Sequence, residues 1–567
     1  MAGLVGMLWA AGAATESLWL DELHTSWVVA GPWSDVASRA RQGNQSPLFF
    51  WVLGGLTKTL GNLGGVPGEL TLRLPSIVCW GVSLAVCLRE ARRRDCGWIA
   101  AVAILVWMVL DRIQLFYATE ARVYASVQLV SLMGWIAVSR IGEKIEINAK
   151  RSDAARCIWL WCGLSILLVF LHITAVLAVG WQIVCGTWIV VRSAPQQGVH
   201  WGAAVSIEDS RRGASSHIKQ QRVSWCIAVS AVVVAVAIAL LGSAQVWQHR
   251  QQWASFAGET TLLSLIGLFP LAAYAVPVAV ARGVDWLWHQ LPACGPKTAG
   301  WKLTPRSKAG SRQGCSRQGG SRHRRGASGH ITGGATHAWI WWLAAAGPWL
   351  SAWCITAMGI APIFHRRFVI VAAVPLIMLS ALELSRVRRP GLRWSAMLAV
   401  AVCLIISQGS LDNWRAGQLF GWQRSEGWRQ ASQFLSERMQ STDQLWCASG
   451  LIEGHAAELP LSESLDRYLS FPLRGLYRVV DNKGEVIEPR ALVGDGTSWA
   501  VQLRAAGRAA SSESVVWIVY RGSPAAFDKN LRRLSLQLDA DTVEPTQIGS
   551  PRAFGLVSVV RLSRLLR

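Results

Sequence analysis

The chain has 567 residues, of which 52% are hydrophobic and 16% are charged, and its formal net charge is +22. Soluble domains usually carry about 25% charged residues, so this composition excludes an ordinary soluble protein and predicts a polytopic membrane protein. The basic residues concentrate in short loops between apolar segments, which is the positive-inside pattern and argues against nucleic-acid binding. Most of the 12 cysteines lie inside apolar segments without CxxC spacing, so neither a disulfide framework nor a zinc site is predicted.

The first apolar segment, residues 1–15, is shorter than the about 20 residues that a membrane-spanning helix needs. It lacks the basic n-region of a signal peptide, so we expect a short or truncated first span. Two acids, Asp21 and Glu22, follow this segment directly. Charges at a membrane boundary are costly to desolvate, so the acid pair is a candidate functional site.

Further apolar runs predict membrane spans at 74–88, 97–117, 123–141, 157–173, 174–191, 223–243, 262–281, 338–357, 368–384 and 394–407. The run 157–191 is too long for one span, and we predict two spans that turn at His172. A Pro helix-start signal opens the segment 45–60, which we expect to be an amphipathic helix in the outer interface.

The distribution of basic residues sets the predicted orientation. If Asp21 lies outside the cytoplasm, the basic clusters at 89–94, 140–156 and 192–222 are all cytoplasmic. One basic pair, Arg366-Arg367, then falls on the outer side and needs its own explanation. The same orientation places Glu120, Arg122 and His172 on the outer face together with Asp21.

Two regions lie outside the spans. The Gly-, Ser- and Arg-rich loop at about 292–336 cannot bury a core, so we expect a disordered cytoplasmic loop that contacts the inner leaflet. Residues 410–567 change character and show one helical and three strand patterns, at 427–439, 443–448, 514–520 and 556–562. The predicted fold class is therefore a polytopic α-helical membrane domain, residues 1–409, with a small C-terminal extracytoplasmic α/β domain, residues 410–567.

The chain resembles the GT-C class of membrane glycosyltransferases in four short motifs: Leu18-Trp-Leu-Asp21-Glu22, Gln45-Ser-Pro-Leu-Phe49, Arg73-Leu-Pro-Ser76 and Tyr117-Ala-Thr-Glu120-Ala-Arg122-Val-Tyr124. It is most similar to the branch of protein O-mannosyltransferases and lipid A aminoarabinose transferases. The resemblance implies a GT-C-like fold in a bacterial-type cytoplasmic (inner) membrane. It also implies a sugar donor on a polyprenyl phosphate, transfer with inversion to a hydroxyl of a lipid, glycan or protein acceptor, and in some members a divalent metal.

The same resemblance assigns roles to residues. Asp21 matches the first-loop acid of the family and is our candidate general base, with Glu22 as its catalytic neighbour. Glu120 is expected to position the acceptor or a metal ion, and Arg122 to contact the donor phosphate. The structural alternatives are that the acid pair caps the following helix and that Glu120 and Arg122 form an interfacial ion pair.

Further candidates complete the predicted site. Arg366 and Arg367 match a late Arg-Tyr element and suit a leaving phosphate, although Phe368 stands where the family has Tyr and lipid headgroups are an alternative partner. The other predicted substrate-binding residues are Tyr124, Lys58 and Gln45. Gln45-Ser-Pro departs from the more usual His-Pro-Pro form.

The predicted metal ligands are His172 and Glu120, which would combine imidazole and oxygen donors. The alternative for His172 is an interface histidine that binds no metal.

Two other classes of function stay open on the sequence. A transporter or flippase for a lipid-linked or anionic substrate would also place acids and arginines at span ends, and it would have ionisable residues deep in its spans. Asp111-Arg112 comes closest to that pattern. A non-catalytic membrane scaffold would tolerate loss of Asp21, whereas an enzyme would not.

Overall fold

The structure, a computed structural model, describes residues 12, 16–43, 45–62, 68–146, 151–192, 207–242, 261, 264, 271–290, 338–415, 426–455, 457–507, 515–539 and 547–563. The predicted first span, 1–15, lies outside the described residues except for Gly12. The basic loop at about 292–336 lies outside them as well, as does the first half of the predicted span 262–281.

Helices dominate the chain up to residue 415. In chain order they are α1 (Leu20–Ala30), α2 (Val36–Gln42), α3 (Pro47–Asn62), α4 (Glu69–Arg93), α5 (Gly97–Leu110), α6 (Arg112–Ala118), α7 (Tyr124–Glu146), α8 (Arg151–Leu171), α9 (Val176–Arg192), α10 (Ile207–Gly242), α11 (Leu271–Gln290), α12 (Ala338–Ala357), α13 (Ala373–Ser385), α14 (Pro390–Ser407) and α15 (Ser410–Arg415). The predicted turn at His172 is present between α8 and α9, and a helix forms over the predicted interfacial segment 45–60.

Among the described residues, six helices are long and apolar enough to cross a membrane, and a bent pair of helices would make a seventh. These six lie within α4, α7, α8, α10, α14 and the helical stretch Ile173–Arg192. The chain is therefore a multi-pass membrane protein, as its composition predicts. Tyr124–Glu146 is the most buried of them, so α7 lies at the centre of the helix bundle.

The predicted span over 97–117 contains a bend that the sequence does not predict. Helices α5 and α6 are bent by 68° at Asp111, whose Oδ1 accepts hydrogen bonds from the backbone N–H groups of Ile113 and Gln114. Oδ2 accepts a hydrogen bond from Tyr274 at 2.8 Å, and Oδ1 also accepts one from Gln408 at 3.1 Å. The acid therefore caps the start of α6 and fixes the break in the span.

Helix α4 has charged groups at both ends. Arg73 lies near its start, and Glu90 near its end contacts Arg93 and Arg94 at 2.7 Å. At a rise of about 1.5 Å per residue, Arg73 and Glu90 are roughly 25 Å apart, which is close to the thickness of a hydrocarbon core. The two polar clusters thus lie at opposite ends of the bundle, and the end that carries Asp21 and Arg73 is called the Asp21 end below.

The C-terminal unit, the described residues from Glu426 onward, packs helices around a six-stranded sheet with the strand order β2-β1-β3-β6-β4 and with β5 paired to β6. Its elements are α16 (Trp428–Ser436), β1 (Gln444–Ala448), α17 (Glu463–Leu469), α18 (Phe471–Arg474), β2 (Arg490–Ala491), α19 (Gly496–Gly507), β3 (Val516–Arg521), α20 (Pro524–Asp539), β4 (Gln547–Ile548), β5 (Arg552–Phe554) and β6 (Val557–Ser563).

Strand β1 pairs in parallel with both β2 and β3, whereas β6 is antiparallel to β3. The helix and the three strands expected at 427–439, 443–448, 514–520 and 556–562 are present within one to three residues. A helical membrane protein with a small C-terminal α/β unit is thus the fold that the sequence predicts.

We predict that Asp111→Ala destabilises the protein by about 1–3 kcal/mol, because it removes a helix cap and leaves the buried hydroxyl of Tyr274 without its acceptor. Thermal unfolding of the purified protein in detergent measures this. Asp412→Ala is the matched control, since the Asp412 side chain is 81% exposed. Equal melting temperatures for the two variants would contradict the structural role of Asp111.

Candidate functional site

A buried ion pair organises the Asp21 end. Glu22 lies in the first turn of α1, and its two carboxylate oxygens accept hydrogen bonds from Nε and Nη2 of Arg73 at 2.8 and 2.6 Å. Both side chains are fully buried. The remaining lone pairs accept the backbone N–H groups of Ala121 at 2.7 Å and Trp19 at 3.3 Å. A buried charge pair is tolerated when every polar atom has such a partner.

The same pair ties three segments together. Arg73 also donates to the carbonyl groups of Glu16 and Ser17, at 2.9 and 3.1 Å. One turn further along α4, the Ser76 hydroxyl donates to the carbonyl of Arg122 at 2.9 Å. The start of α4 therefore holds both the segment before α1 and the loop between α6 and α7.

These contacts hold α1 so that Asp21 lies between two arginines from distant parts of the chain. Oδ1 of Asp21 lies 3.4 Å from Nη2 of Arg122, and Oδ2 accepts a hydrogen bond from Nη1 of Arg367 at 3.2 Å. Burial raises the pKa of Asp21, but the charges of Arg122 and Arg367 outweigh burial and bring the pKa below its ordinary 3.8. Asp21 is therefore ionised at neutral pH, and its 22% exposure leaves it accessible.

The Arg122 side chain has two donor nitrogens that suit a further anion. Its side chain is only 6% exposed, and among the described residues Nε and Nη1 have no hydrogen-bond partner. Buried guanidinium N–H groups without an acceptor are costly. A planar fork of such donors matches the geometry of phosphate or carboxylate oxygens.

The second arginine comes from a compact loop after α12. The Thr356 hydroxyl accepts the backbone N–H groups of Ile363 and Phe364, at 3.0 and 2.9 Å, which closes the loop. The backbone N–H of Arg367 then donates to Nδ1 of His365 at 3.3 Å. Burial opposes the charge of Arg367, but nearby Tyr124, Asp21 and Glu120 stabilise that charge and raise its pKa overall.

Aromatic rings form one wall of the site. Tyr124 packs against Tyr117 with ring centroids 5.1 Å apart and against His172 at 5.7 Å. His172 also lies 6.0 Å from the Phe368 ring, and its Nδ1 is 2.7 Å from the Thr174 hydroxyl. Burial, with the charges of the two site arginines, lowers the His172 pKa to about 4, so the ring is neutral at neutral pH.

Glu120 is 1% exposed and lies in the loop before α7. The backbone N–H of Arg122 donates to its carbonyl at 2.7 Å, which turns the chain tightly between the two residues. Glu120 is close enough to Arg367 to contribute to the raised pKa of that arginine. Glu120 thus belongs to the same cluster as Asp21.

The fit to a metal ion is poor. Across the described part of the chain, no three His, Cys, Asp or Glu side chains come together in an arrangement that could hold a metal. Asp21 already binds two arginines, and Nδ1 of His172 faces a hydroxyl group. The divalent metal with ligands His172 and Glu120 stays a prediction, and no step below depends on it.

Three other predicted residues have no described contact with Asp21. The Lys58 ammonium lies over the Trp33 ring, 5.4 Å from its centroid. Arg366 is exposed, unlike Arg367. Gln45 precedes Ser46, whose hydroxyl donates to the carbonyl of Phe170 at the end of α8. Their substrate-binding roles stay predictions.

Several site residues were not expected from the sequence. Arg73 precedes a predicted span by one residue and therefore resembles an ordinary interfacial charge, although it belongs to one of the four motifs. The C-terminal residues Tyr468 and Tyr477 show no sequence signal, because their partners lie more than 400 positions away.

The C-terminal unit contacts the segment before α1, α1 itself and the start of α4. The Tyr477 hydroxyl accepts the backbone N–H of Leu18 at 2.5 Å and donates to Glu69 at 3.0 Å, and Arg429 also reaches Glu69 at 2.5 Å. Trp27 on α1 packs against Phe471, with ring centroids 5.1 Å apart. Asp21 is therefore positioned by contacts from both parts of the chain.

Comparison with known proteins gives a structural likeness only. No family model and no curated protein matches the chain. The structure of ArnT from Cupriavidus metallidurans bound to undecaprenyl phosphate is similar at 12% identity and a TM-score of 0.47, over 99% of this chain and 96% of that one. The apo ArnT structure is similar at 13% identity and a TM-score of 0.31, over 98% and 96%.

We predict that Glu22→Gln destabilises the protein by about 3–5 kcal/mol, because it leaves the buried Arg73 without a counter-charge. Thermal unfolding in detergent measures the change. Glu437→Gln removes an exposed partner of Arg438 and is expected to change stability little. The central position of the Glu22–Arg73 pair would be contradicted if Glu22→Gln melted at the same temperature as this control.

The lowered pKa of His172 predicts a dependence of stability on pH. Between pH 6.5 and about 4 the unfolded chain binds a proton at this histidine and the folded chain does not. Stability therefore falls as the pH is lowered through this range, by about 1.4 kcal/mol per pH unit for one proton.

His172→Gln should make this slope shallower, as measured by unfolding between pH 4 and 7. His289→Gln is the control, because His289 is 45% exposed. An unchanged slope in His172→Gln would contradict the burial of a neutral imidazole at this position.

Proposed function

We propose that the protein is a glycosyltransferase that moves a sugar from a polyprenyl-phosphate donor to an acceptor hydroxyl at the outer face of the membrane, with inversion. The observation that carries this proposal is the ionised Asp21 between Arg122 and Arg367, at the end of a bundle of apolar helices. Such a cluster offers a base and an anion-binding pair within reach of a membrane-embedded lipid. A polyprenyl phosphate is also the ligand in the ArnT structure.

The donor phosphate suits the two arginines. The Nε and Nη1 groups of Arg122 are buried and lack an acceptor among the described residues, and Arg367 presents a second, 23% exposed guanidinium. A sugar–phosphate bond breaks with its electron pair going to the phosphate oxygen, so charge grows there in the transition state. Fixed cations stabilise that charge more than they stabilise the ground state.

Asp21 is the acceptor of the proton. The acceptor oxygen attacks the anomeric carbon as the bond to phosphate breaks, and its proton passes to the Asp21 carboxylate. In the structure the arginines keep the pKa of this carboxyl low, which makes it a weak base. When a phosphate takes over part of the hydrogen bonding of Arg122 and Arg367, Asp21 loses counter-charge and becomes more basic, so donor binding would activate it.

Glu22 has a different task in this proposal. Both of its oxygens are occupied by Arg73 and by backbone N–H groups, so it holds the first turn of α1 in place and takes no proton. Asp111, the acid that a transporter would need within a span, caps α6 and bonds Tyr274. The acid that best fits the pattern of a transporter in the sequence thus has a structural role.

The proposed orientation of the chain in the membrane is based on the charge pattern of the loops. The basic clusters around Glu90, at the end opposite Asp21, would face the cytoplasm. The Asp21 end and the C-terminal unit would then face outward, where a polyprenyl-linked donor in the outer leaflet can reach Arg122. The proposed location is a bacterial-type inner membrane.

We predict that Asp21→Asn lowers sugar transfer by roughly 10²- to 10⁴-fold, because an amide cannot take the acceptor proton. The assay measures transfer from radiolabelled polyprenyl-phosphate sugars in membranes that contain the protein, with Asp412→Asn as the exposed control. Full activity of Asp21→Asn would contradict the role of this acid.

Wild-type protein that neither consumes a donor nor binds polyprenyl phosphate would overturn the proposed function. Movement of intact donor across vesicles without cleavage would identify a transporter instead.

A further inference from the structure

The sheet of the C-terminal unit has one edge that takes no part in the proposed reaction. From β1 the chain passes to β2 on one side and then to β3 on the other. The loops that follow β1 and β3 therefore leave the sheet at a topological switch point, where ligands of open α/β sheets bind. Gly450, in the loop after β1, has φ +71° and packs closely against Arg521 at the end of β3.

The loop after β1 places a carboxylate towards the Asp21 cluster. Glu453 lies in the 3-10 turn Ile452–His455 and is half-buried. It accepts a hydrogen bond from the Tyr468 hydroxyl at 3.2 Å, and this hydroxyl is 3.1 Å from Nδ1 of His24. Since Tyr468 gives its proton to Glu453, the Nδ1 of His24 is the donor in the second bond. His24 follows Asp21 by one turn of α1.

Electrostatics couples this carboxylate to the predicted base. Burial raises the pKa of Glu453, the charge of Asp21 raises it further, and Arg122 lowers it in part. Among the described residues, Tyr468 donates to Glu453, and His24 contacts the same hydroxyl group. The two acids thus have different protonation behaviour: arginines lower the pKa of Asp21, and burial raises that of Glu453. Environments that separate the pKa values of neighbouring acids are typical of sites where the acids have different roles.

We propose that Glu453 is an acceptor-binding residue supplied by the C-terminal unit, whose carboxylate accepts hydrogen bonds from hydroxyl groups of a hydroxyl-rich acceptor and holds that acceptor against Asp21. This inference depends on the proposed function. An ionised carboxylate has only acceptor oxygens, so it pairs with hydroxyl donors. A carboxylate repels a phosphate. Arg122 and Arg367 therefore bind the anionic donor, and Glu453 binds the acceptor.

The test is a transfer assay that separates the two substrates. Radiolabelled polyprenyl-phosphate sugar is the donor, and membranes from cells that lack the protein are added in increasing amounts as the acceptor. For Glu453→Gln we expect the half-saturating amount of acceptor membranes to rise roughly tenfold or more, since a hydrogen bond to a charged group is lost. The donor KM should stay unchanged. Glu463→Gln, in the same unit with a 78% exposed side chain, is the control.

The pH profile distinguishes binding from support of the fold. In wild-type protein the acceptor-dependent rate should fall as the pH drops through the raised pKa of Glu453, above its ordinary 4.5, because the carboxyl group loses its charge. This limb should be absent in Glu453→Gln. Tyr468→Phe keeps the carboxylate and should retain the limb, at a shifted pH.

Active wild-type protein with the same acceptor dependence and the same pH profile in Glu453→Gln would overturn this inference and leave the proposed function intact. Inactive wild-type protein would instead overturn the proposed function. A rise of the donor KM alone in Glu453→Gln would also contradict acceptor binding.

Discussion

The buried pair of Glu22 and Arg73 is the contact on which the Asp21 end depends. One carboxylate and one guanidinium join the first loop, the start of α4 and the loop before α7. Removing two full charges from water costs free energy. This cost is offset because both carboxylate oxygens have protein partners and the guanidinium also binds backbone carbonyls. The adjacent Asp21 is left free to face the opposite way, towards Arg122 and Arg367. Of the two neighbouring acids, Glu22 holds the backbone, and Asp21 is the one available for the proposed chemistry.

A second consequence is that the site is built from both halves of the chain. Arg367 arrives from a loop between late helices, and Tyr468 and Tyr477 arrive from the C-terminal unit. Arg367 and Tyr468 contact the short helix α1, which would have little stability alone, and Tyr477 binds Leu18 just before it. In the proposed function the C-terminal unit belongs to the reaction centre, because Tyr468 links Glu453 to His24 on α1.

The sequence predicts the six long apolar helices, because a long apolar run admits few structures in a bilayer. The predicted spans 338–357 and 368–384 are not among these six. The charge rule and the motif resemblance also predict that Asp21, Arg122 and Arg367 lie at one end of the helix bundle. The sequence misses the break at Asp111, since an acid at the junction of two apolar helices has no distinctive periodicity. It does not separate Glu22 from Asp21, because adjacent acids look alike until their partners are known. Contacts such as Leu18 with Tyr477 join residues 459 positions apart, and a single sequence carries no signal for such pairs.

The central claim is that the fold brings Arg122 and Arg367 together as a phosphate-binding pair on Asp21. Binding of undecaprenyl phosphate to the purified protein, measured by native mass spectrometry, tests it most directly. We expect wild-type protein and the control Arg386→Gln, whose arginine pairs with Glu383, to bind the lipid. The double variant Arg122→Gln, Arg367→Gln should lose at least tenfold in affinity, since two charge-assisted contacts are removed. Equal binding by a folded double variant would contradict the claim.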